Sequence, residues 1–295
     1  MRFLRTLKPK FGALKRCLLH ILRQELFRAK IATVYALVKK TSSRPFFILG
    51  TPRSGSSLLV SYLNSNPEVF FGGEVLSHLD PMGIRRRWVS KKAALNHLHH
   101  FLNAQNHPVC GAKIFFWHLE MRKISLKELC EAFPAAKWLI LYRKNILDQY
   151  LSHKIAFKTG RWIQYRSADH PKLGRIQMKL VLRSALGYCN RIWRNYEKTL
   201  GIPEIGKRSL WISYEELTNK PQILFDRKIF PFLALDSQRV TARTLKQNIW
   251  QVPEILTNYE TVKEAIRRTD FTQNYENPAY DFLSPNARQL AQPYD

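Results

Sequence analysis

The chain has 295 residues, 45% of them hydrophobic and 12% aromatic, which is enough to bury a sizeable core as one large α/β domain with or without an extension. Its formal net charge of +26, from 48 Lys+Arg against 22 Asp+Glu, favours anionic partners: nucleic acid, an anionic membrane surface or a phosphorylated ligand. Four scattered cysteines, Cys17, Cys110, Cys130 and Cys189, include no C-x-x-C pair and exclude a disulfide framework, so buried thiols in a reducing, cytoplasmic setting are expected.

Residues 1–44 carry twelve Lys/Arg and one acid, Glu25. Apolar residues recur at roughly helical spacing through Leu14, Leu18, Leu22 and Leu26, but charges interrupt every run, so no stretch reaches the ~20 residues that cross a bilayer. The segment reads as a basic amphipathic helical extension, packed on the domain or lying on an anionic membrane. The remaining 45–295 reads as one domain.

Pro45 opens "FFILG", a short apolar run ending in glycine and read as a buried strand. "SGSSLLVSYLNSNP" continues as a helix that stops before Pro67, and "EVFFGGE" as a second strand. Residues 82–105 have a helical pattern. "GAKIFFW" (111–117), "AKWLILY" (136–142) and "SLWISY" (209–214) are strands, with helices near 125–133, 145–159, 175–199 and 219–230. Strands alternating with helices predict a doubly wound, mainly parallel α/β sheet, whose ligands bind beyond the carboxyl ends of the strands.

At one such end Gly50 and Gly55 keep the spacing of the phosphate-binding fingerprint G-x-x-x-x-G-K-[ST], and Ser57 fills its last position, but Ser56 stands in place of the lysine. A strand, a glycine turn and a helix N-terminus still present backbone N–H groups to an anion, and Ser54, Ser56 and Ser57 add hydroxyls. Triphosphate chemistry fits less well. The interior strand "AKWLILY" ends in Arg143-Lys144 where a metal-binding Asp would be wanted. Arg53 is the cation left inside the loop, which predicts an anion held without a metal.

"TPRSGSSLL", followed by "LNSNPEVFFGGE", resembles the 5′-phosphosulfate loop of sulfotransferases that use 3′-phosphoadenosine 5′-phosphosulfate (PAPS), in the form found in nodulation-factor-type carbohydrate enzymes and in tyrosylprotein enzymes. The resemblance implies a P-loop-like sulfotransferase fold, PAPS as sulfuryl donor and a carbohydrate or glycolipid hydroxyl as acceptor. It implies that Arg53, Ser54, Gly55, Ser56 and Ser57 hold the phosphosulfate. A strand-end Arg and a helix Ser hold the 3′-phosphate in that family. They map here to Arg143 and Ser152, nine residues apart where eight is usual, so Lys144 competes for the role. "SYEELTNKP" maps Tyr214 to the adenine end, and "TLKQNIW" offers Lys246 as a late phosphate contact. The general base maps to Glu74 of "FGGEVL", with His118 of "KIFFWH" as rival. His78 could share a helical face with Glu74, and Lys113 could face the sulfuryl group. Aromatic and basic residues of 158–175, Trp162, Tyr165 and Arg166 among them, suit an acceptor site.

Two other classes remain open at this stage: a nucleotide kinase or NTPase with a degenerate loop, and a non-catalytic basic protein binding membrane or nucleic acid. The sequence gives no sign of specific nucleic-acid recognition or of oligomeric state. His97, His99, His100 and His107 lack the acidic or cysteine companions of a zinc site and read as a helix face.

Overall fold

The computed structural model describes residues 43–77, 90–163, 176–244 and 252–267. The basic segment 1–42, His78, Tyr165, Arg166 and Lys246 lie outside those residues. Five strands, β1 (Arg44–Gly50), β2 (Val69–Phe71), β3 (Val109–Phe115), β4 (Lys137–Tyr142) and β5 (Ser209–Ser213), form one sheet in the order β2-β3-β1-β4-β5. Every pairing is parallel. The predicted sheet is therefore present, with β1 at its centre.

Alternation along the central strands sends side chains to two cores, because successive residues of a strand face opposite ways. Phe47 and Leu49 of β1 join Trp138 and Ile140 of β4 on one face. Phe46 and Ile48 join Leu139 and Leu141 on the other. The first core is covered by α2 (Lys91–Asn103), α3 (Phe116–Arg122), α4 (Leu126–Ala132), α5 (Ile146–Thr159) and α6 (Leu182–Leu200). The second is covered by α1 (Ser56–Leu63), α8 (Tyr214–Asn219) and the run from Pro221 to Leu233 that begins with α9 (Pro221–Leu224). The short α7 (Pro203–Gly206) leads into β5. Helices on both faces make the fold doubly wound.

Local chemistry sets the helix ends. Ser125 and Ser213 each accept from a backbone N–H three residues on, while Glu128 and Glu216 reach back, giving capping boxes at α4 and α8. Asn145 caps α5 by accepting from Asp148 N–H at 2.9 Å, and Gly160, at φ 68°, ends it.

Two boundaries differ from the sequence reading. Phe116 and Trp117 do not extend β3 but open α3: Phe115 keeps extended backbone angles, and the ring of His118 caps its N–H. The helix expected from 175 begins at Leu182, because Met178 pairs as an isolated bridge with Leu256. Cys110, Cys130 and Cys189 are free and buried.

Candidate active site

The strand order carries each segment of interest to the same edge of the sheet. Reading across the carboxyl ends, Glu74 follows β2, His118 follows β3, the loop follows β1, Arg143 follows β4 and Tyr214 follows β5. Chain reversal on either side of β1 puts the loop at the switch point, where open parallel sheets bind ligands.

The loop is tight. Arg53 (φ 67°) and Gly55 (φ 95°) both take left-handed backbone angles. A Cβ on Gly55 would lie 2.4 Å from Cδ2 of Tyr214, so the glycine admits the tyrosine ring against the loop. Ser54 is fully buried, and its hydroxyl donates to the Thr51 carbonyl at 2.8 Å, which shapes the turn. Ser56 and Ser57 open α1, and their N–H groups have no carbonyl four residues back within the helix. No acidic side chain occupies the first turn of α1.

On the β4–β5 side, Arg53 Nε donates to Ser152 Oγ at 2.9 Å, and Arg53 Nη1 donates to the Trp162 carbonyl. Arg143 stacks over the Tyr214 ring, 4.6 Å from its centroid, and its Nη2 lies 3.4 Å from Asp148 Oδ2. Arg143 Nε is buried without a hydrogen-bond partner. Burial, and next the Arg143 guanidinium, push the pKa of Arg53 down, so two cations are gathered in a place that penalises them. Arg53, Ser152, Arg143 and Tyr214 are thus brought together around the loop. The backbone N–H of Lys144, the rival cation, donates to Glu215 Oε2 at 3.1 Å.

Sequence reasoning missed Gln149 here. It is buried, and its Nε2 donates to Thr51 Oγ1 (2.6 Å) and to the Pro52 carbonyl (2.8 Å). Gln149 and Ser152 are three apart on α5 and therefore share a face. That spacing was a usable signal.

On the β2–β3 side the two rival bases meet. Glu74 Oε2 lies 3.5 Å from His118 Nε2, and Oε1 lies 3.6 Å from Lys113 Nζ. These are ionic contacts too long for good hydrogen bonds, and His118 Nε2 makes no other. His118 is fully buried and Lys113 nearly so, whereas the Glu74 side chain is 38% exposed. His118 Nδ1 accepts the Phe115 N–H at 3.1 Å, which puts the ring proton of the neutral form on Nε2, facing Glu74. Burial raises the pKa of Glu74, but His118 and Lys113 outweigh it and leave the carboxyl below its ordinary value. Burial lowers both Lys113 and His118, against the pull of Glu74. Near neutral pH this is a carboxylate beside a neutral imidazole.

Glu74 and the loop open onto one cavity of about 570 Å³. Arg53, Ser56 and Ser57 line its floor. Phe157 and Trp162 form an aromatic wall, their ring centroids 4.9 Å apart, and Arg191 of α6 faces the same space. Phe157 is 65% exposed and Trp162 41%. Among the described residues no group of three His, Cys, Asp or Glu is arranged to hold a metal ion, and no helix is long and apolar enough to cross a membrane.

Fold and site define a parallel α/β protein with a lysine-free, phosphate-loop-like turn, flanked by two arginines on one side and a carboxylate-lined cavity on the other. Residues 45–121 match the Sulfotransferase family. The matched segment includes the loop, Glu74, Lys113 and His118, and stops before Arg143, Ser152 and Tyr214. Over 131 residues the chain is 28% identical to Nodulation protein H of Rhizobium meliloti strain 1021, a match covering 42% of this chain and 52% of that protein. The chain thus spans about half the length of the curated relatives it matches. Among solved structures, it is similar to a sulfotransferase from Alicyclobacillus acidocaldarius (TM-score 0.47, 14% identity, 78% of this chain and 97% of that one). It is also similar to the sulfotransferase domain of the Synechococcus PCC 7002 olefin synthase (TM-score 0.41, 17% identity, 86% and 96%). The sulfotransferase resemblance read from "TPRSGSSLL" is borne out by the family match over that segment.

Proposed function

We propose that the chain is a PAPS-dependent O-sulfotransferase acting on a carbohydrate or glycolipid hydroxyl. The observation that carries this reading is the pair Arg53 and Arg143, converging beside the N-terminus of α1 with Arg143 Nε buried and unpartnered. Two guanidiniums gathered in a buried place, with the Asp148 carboxylate beside Arg143, suit an added anion, and a planar guanidinium suits phosphate.

The residues fit the two phosphate-bearing ends of PAPS. The N–H groups of Ser56 and Ser57, with Arg53, suit the phosphosulfate, while Arg143 and Ser152 suit the 3′-phosphate and the Tyr214 ring the adenine. Ser54 contributes through the turn it holds. Lys246 keeps the late phosphate contact that the family resemblance gives it. The donor supplies a sulfuryl group whose leaving phosphate is already a good one, so the task left to the protein is electrostatic. Arg53 and the helix-end N–H groups stabilise charge on the departing oxygen. Glu74 takes the acceptor proton as the hydroxyl oxygen bonds to sulfur. In this reading His118 supports Glu74 instead of acting as the base itself: Nδ1 accepts a backbone N–H, so the proton of the neutral ring lies on Nε2, toward the carboxylate. The wall of Phe157 and Trp162 gives a sugar ring a face to stack on.

Adenosine 3′,5′-bisphosphate, the expected product, tests the reading by thermal stabilisation. At 100 times its Kd it should add about 2.7 kcal/mol and raise Tm by several degrees without Mg²⁺. Arg143→Ala should remove most of that shift, because a charge-assisted hydrogen bond contributes about 1.5–3 kcal/mol. A shift seen only with ATP and Mg²⁺ would instead identify a nucleotide kinase.

A further inference from the structure

Glu74 sits in a turn with little regular structure of its own. Backbone pairing to β3 ends where Lys113 N–H donates to the Gly73 carbonyl, and in the turn Glu74–Ser77 the Ser77 N–H donates to Glu74 O at 2.9 Å. α3 ties it further. Arg122 is buried, and its Nε and Nη2 donate to the carbonyls of Leu76 and Ser77, each at 3.2 Å. One helical turn earlier on the same face, His118 turns Nε2 toward the Glu74 carboxylate. A buried guanidinium directed at two main-chain carbonyls is costly unless those contacts persist, so the turn is tied to the helix. The His118 ring is itself fixed by the Phe115 N–H, at the junction of β3 and α3.

We infer that α3 is a positioning helix for the carboxylate, Arg122 holding the backbone of the Glu74–Ser77 turn and His118 orienting the side chain. This rests on the reading of Glu74 as the base, but it concerns where the carboxylate is held and has a readout of its own. In full-length protein labelled with ¹³Cδ-glutamate, Glu74→Gln assigns the Glu74 carboxyl resonance, and its titration is followed in variants. The wild-type carboxyl should titrate below the ordinary glutamate range. His118→Leu should move it upward, and His118→Gln, which keeps an N–H donor near the Nε2 position, should bring it back. Arg122→Met should also move the titration, and Arg122→Lys should restore it in part.

Adenosine 3′,5′-bisphosphate binding is measured on the same samples. It should be unchanged within about twofold in every variant, which separates a displaced carboxylate from a collapsed fold. A Glu74 titration identical to wild type in folded His118→Leu and Arg122→Met would overturn the inference. If Arg122→Met does not fold, the His118→Leu and His118→Gln pair decides the matter alone. Bisphosphate that fails to bind wild-type protein would remove the sulfotransferase reading and leave the titration result standing.

Discussion

Gly55 shows how one residue joins backbone strain to ligand chemistry. Its φ of 95° costs an L-residue roughly 1–2 kcal/mol, and an added methyl would meet Cδ2 of Tyr214 at 2.4 Å. The ring cannot simply retreat, because its face carries the Arg143 guanidinium. Gly55→Ala should therefore lower stability by about 1–3 kcal/mol in urea denaturation. It should also weaken adenosine 3′,5′-bisphosphate binding at least tenfold, since both Tyr214 and Arg143 must shift. Loss of stability with unchanged bisphosphate affinity would separate the ring from the binding site. His118 teaches a different lesson at the same scale. From sequence it competes with Glu74 as a base because both lie at strand ends. The structure adds a backbone hydrogen bond to Nδ1 that turns Nε2 toward Glu74, which no spacing rule reveals.

At the scale of elements, the parts legible in the sequence are those with one physical cause. Apolar runs such as "FFILG" and "KWLILY" are too short for buried helices and read as buried strands, and β1 and β4 lie where they were read. The β3–α3 boundary was misjudged because Phe116 and Trp117 prolong the apolar run, although the chain has already turned. Buried polar ties escaped for the opposite reason. Gln149 and Arg122 look like exposed helix residues until the partners they serve, 97 and 46 positions away, are in place. Gln149 links α5 to the loop through both Thr51 and Pro52, so the helix that carries Ser152 also sets the height of the turn. Gln149→Leu would leave the buried Thr51 hydroxyl and the Pro52 carbonyl without that donor, at about 1–3 kcal/mol. Gln149→Glu would keep the shape but present an acceptor to the Pro52 carbonyl. Both variants should weaken bisphosphate binding, and urea denaturation should rank both below wild type. Wild-type stability in both would mean that the loop holds its form without α5.

At the scale of the whole molecule, burial and neighbouring cations keep His118 and His153 neutral, and this shapes how the chain responds to acid. His153, within the aromatic wall, is pushed down to about 4 by burial first, and then by Arg191, Lys154 and Arg53. His118 is lowered too, mainly by burial. The unfolded chain protonates both near the ordinary imidazole value of 6.5. Between that pH and about 4 the unfolded state therefore holds protons that His153 in the folded state does not. Stability is then fully present above pH 6.5 and falls as the pH is lowered, with a slope approaching about 1.4 kcal/mol per unit for each such histidine. Glu74 adds a loss of the same sign at lower pH, because its folded pKa is also depressed and its contribution disappears as the carboxylate protonates. Urea denaturation at pH 7, 6 and 5 should show the histidine slope, and His153→Phe should reduce it while leaving rings to pack against Phe157, Trp162 and Tyr188. An unchanged slope in His153→Phe would assign the acid sensitivity to His118. Saturating bisphosphate should lift stability across the whole range, because it binds the folded state, and an anion beside Arg53 should also ease protonation of His153 and so flatten the acid slope.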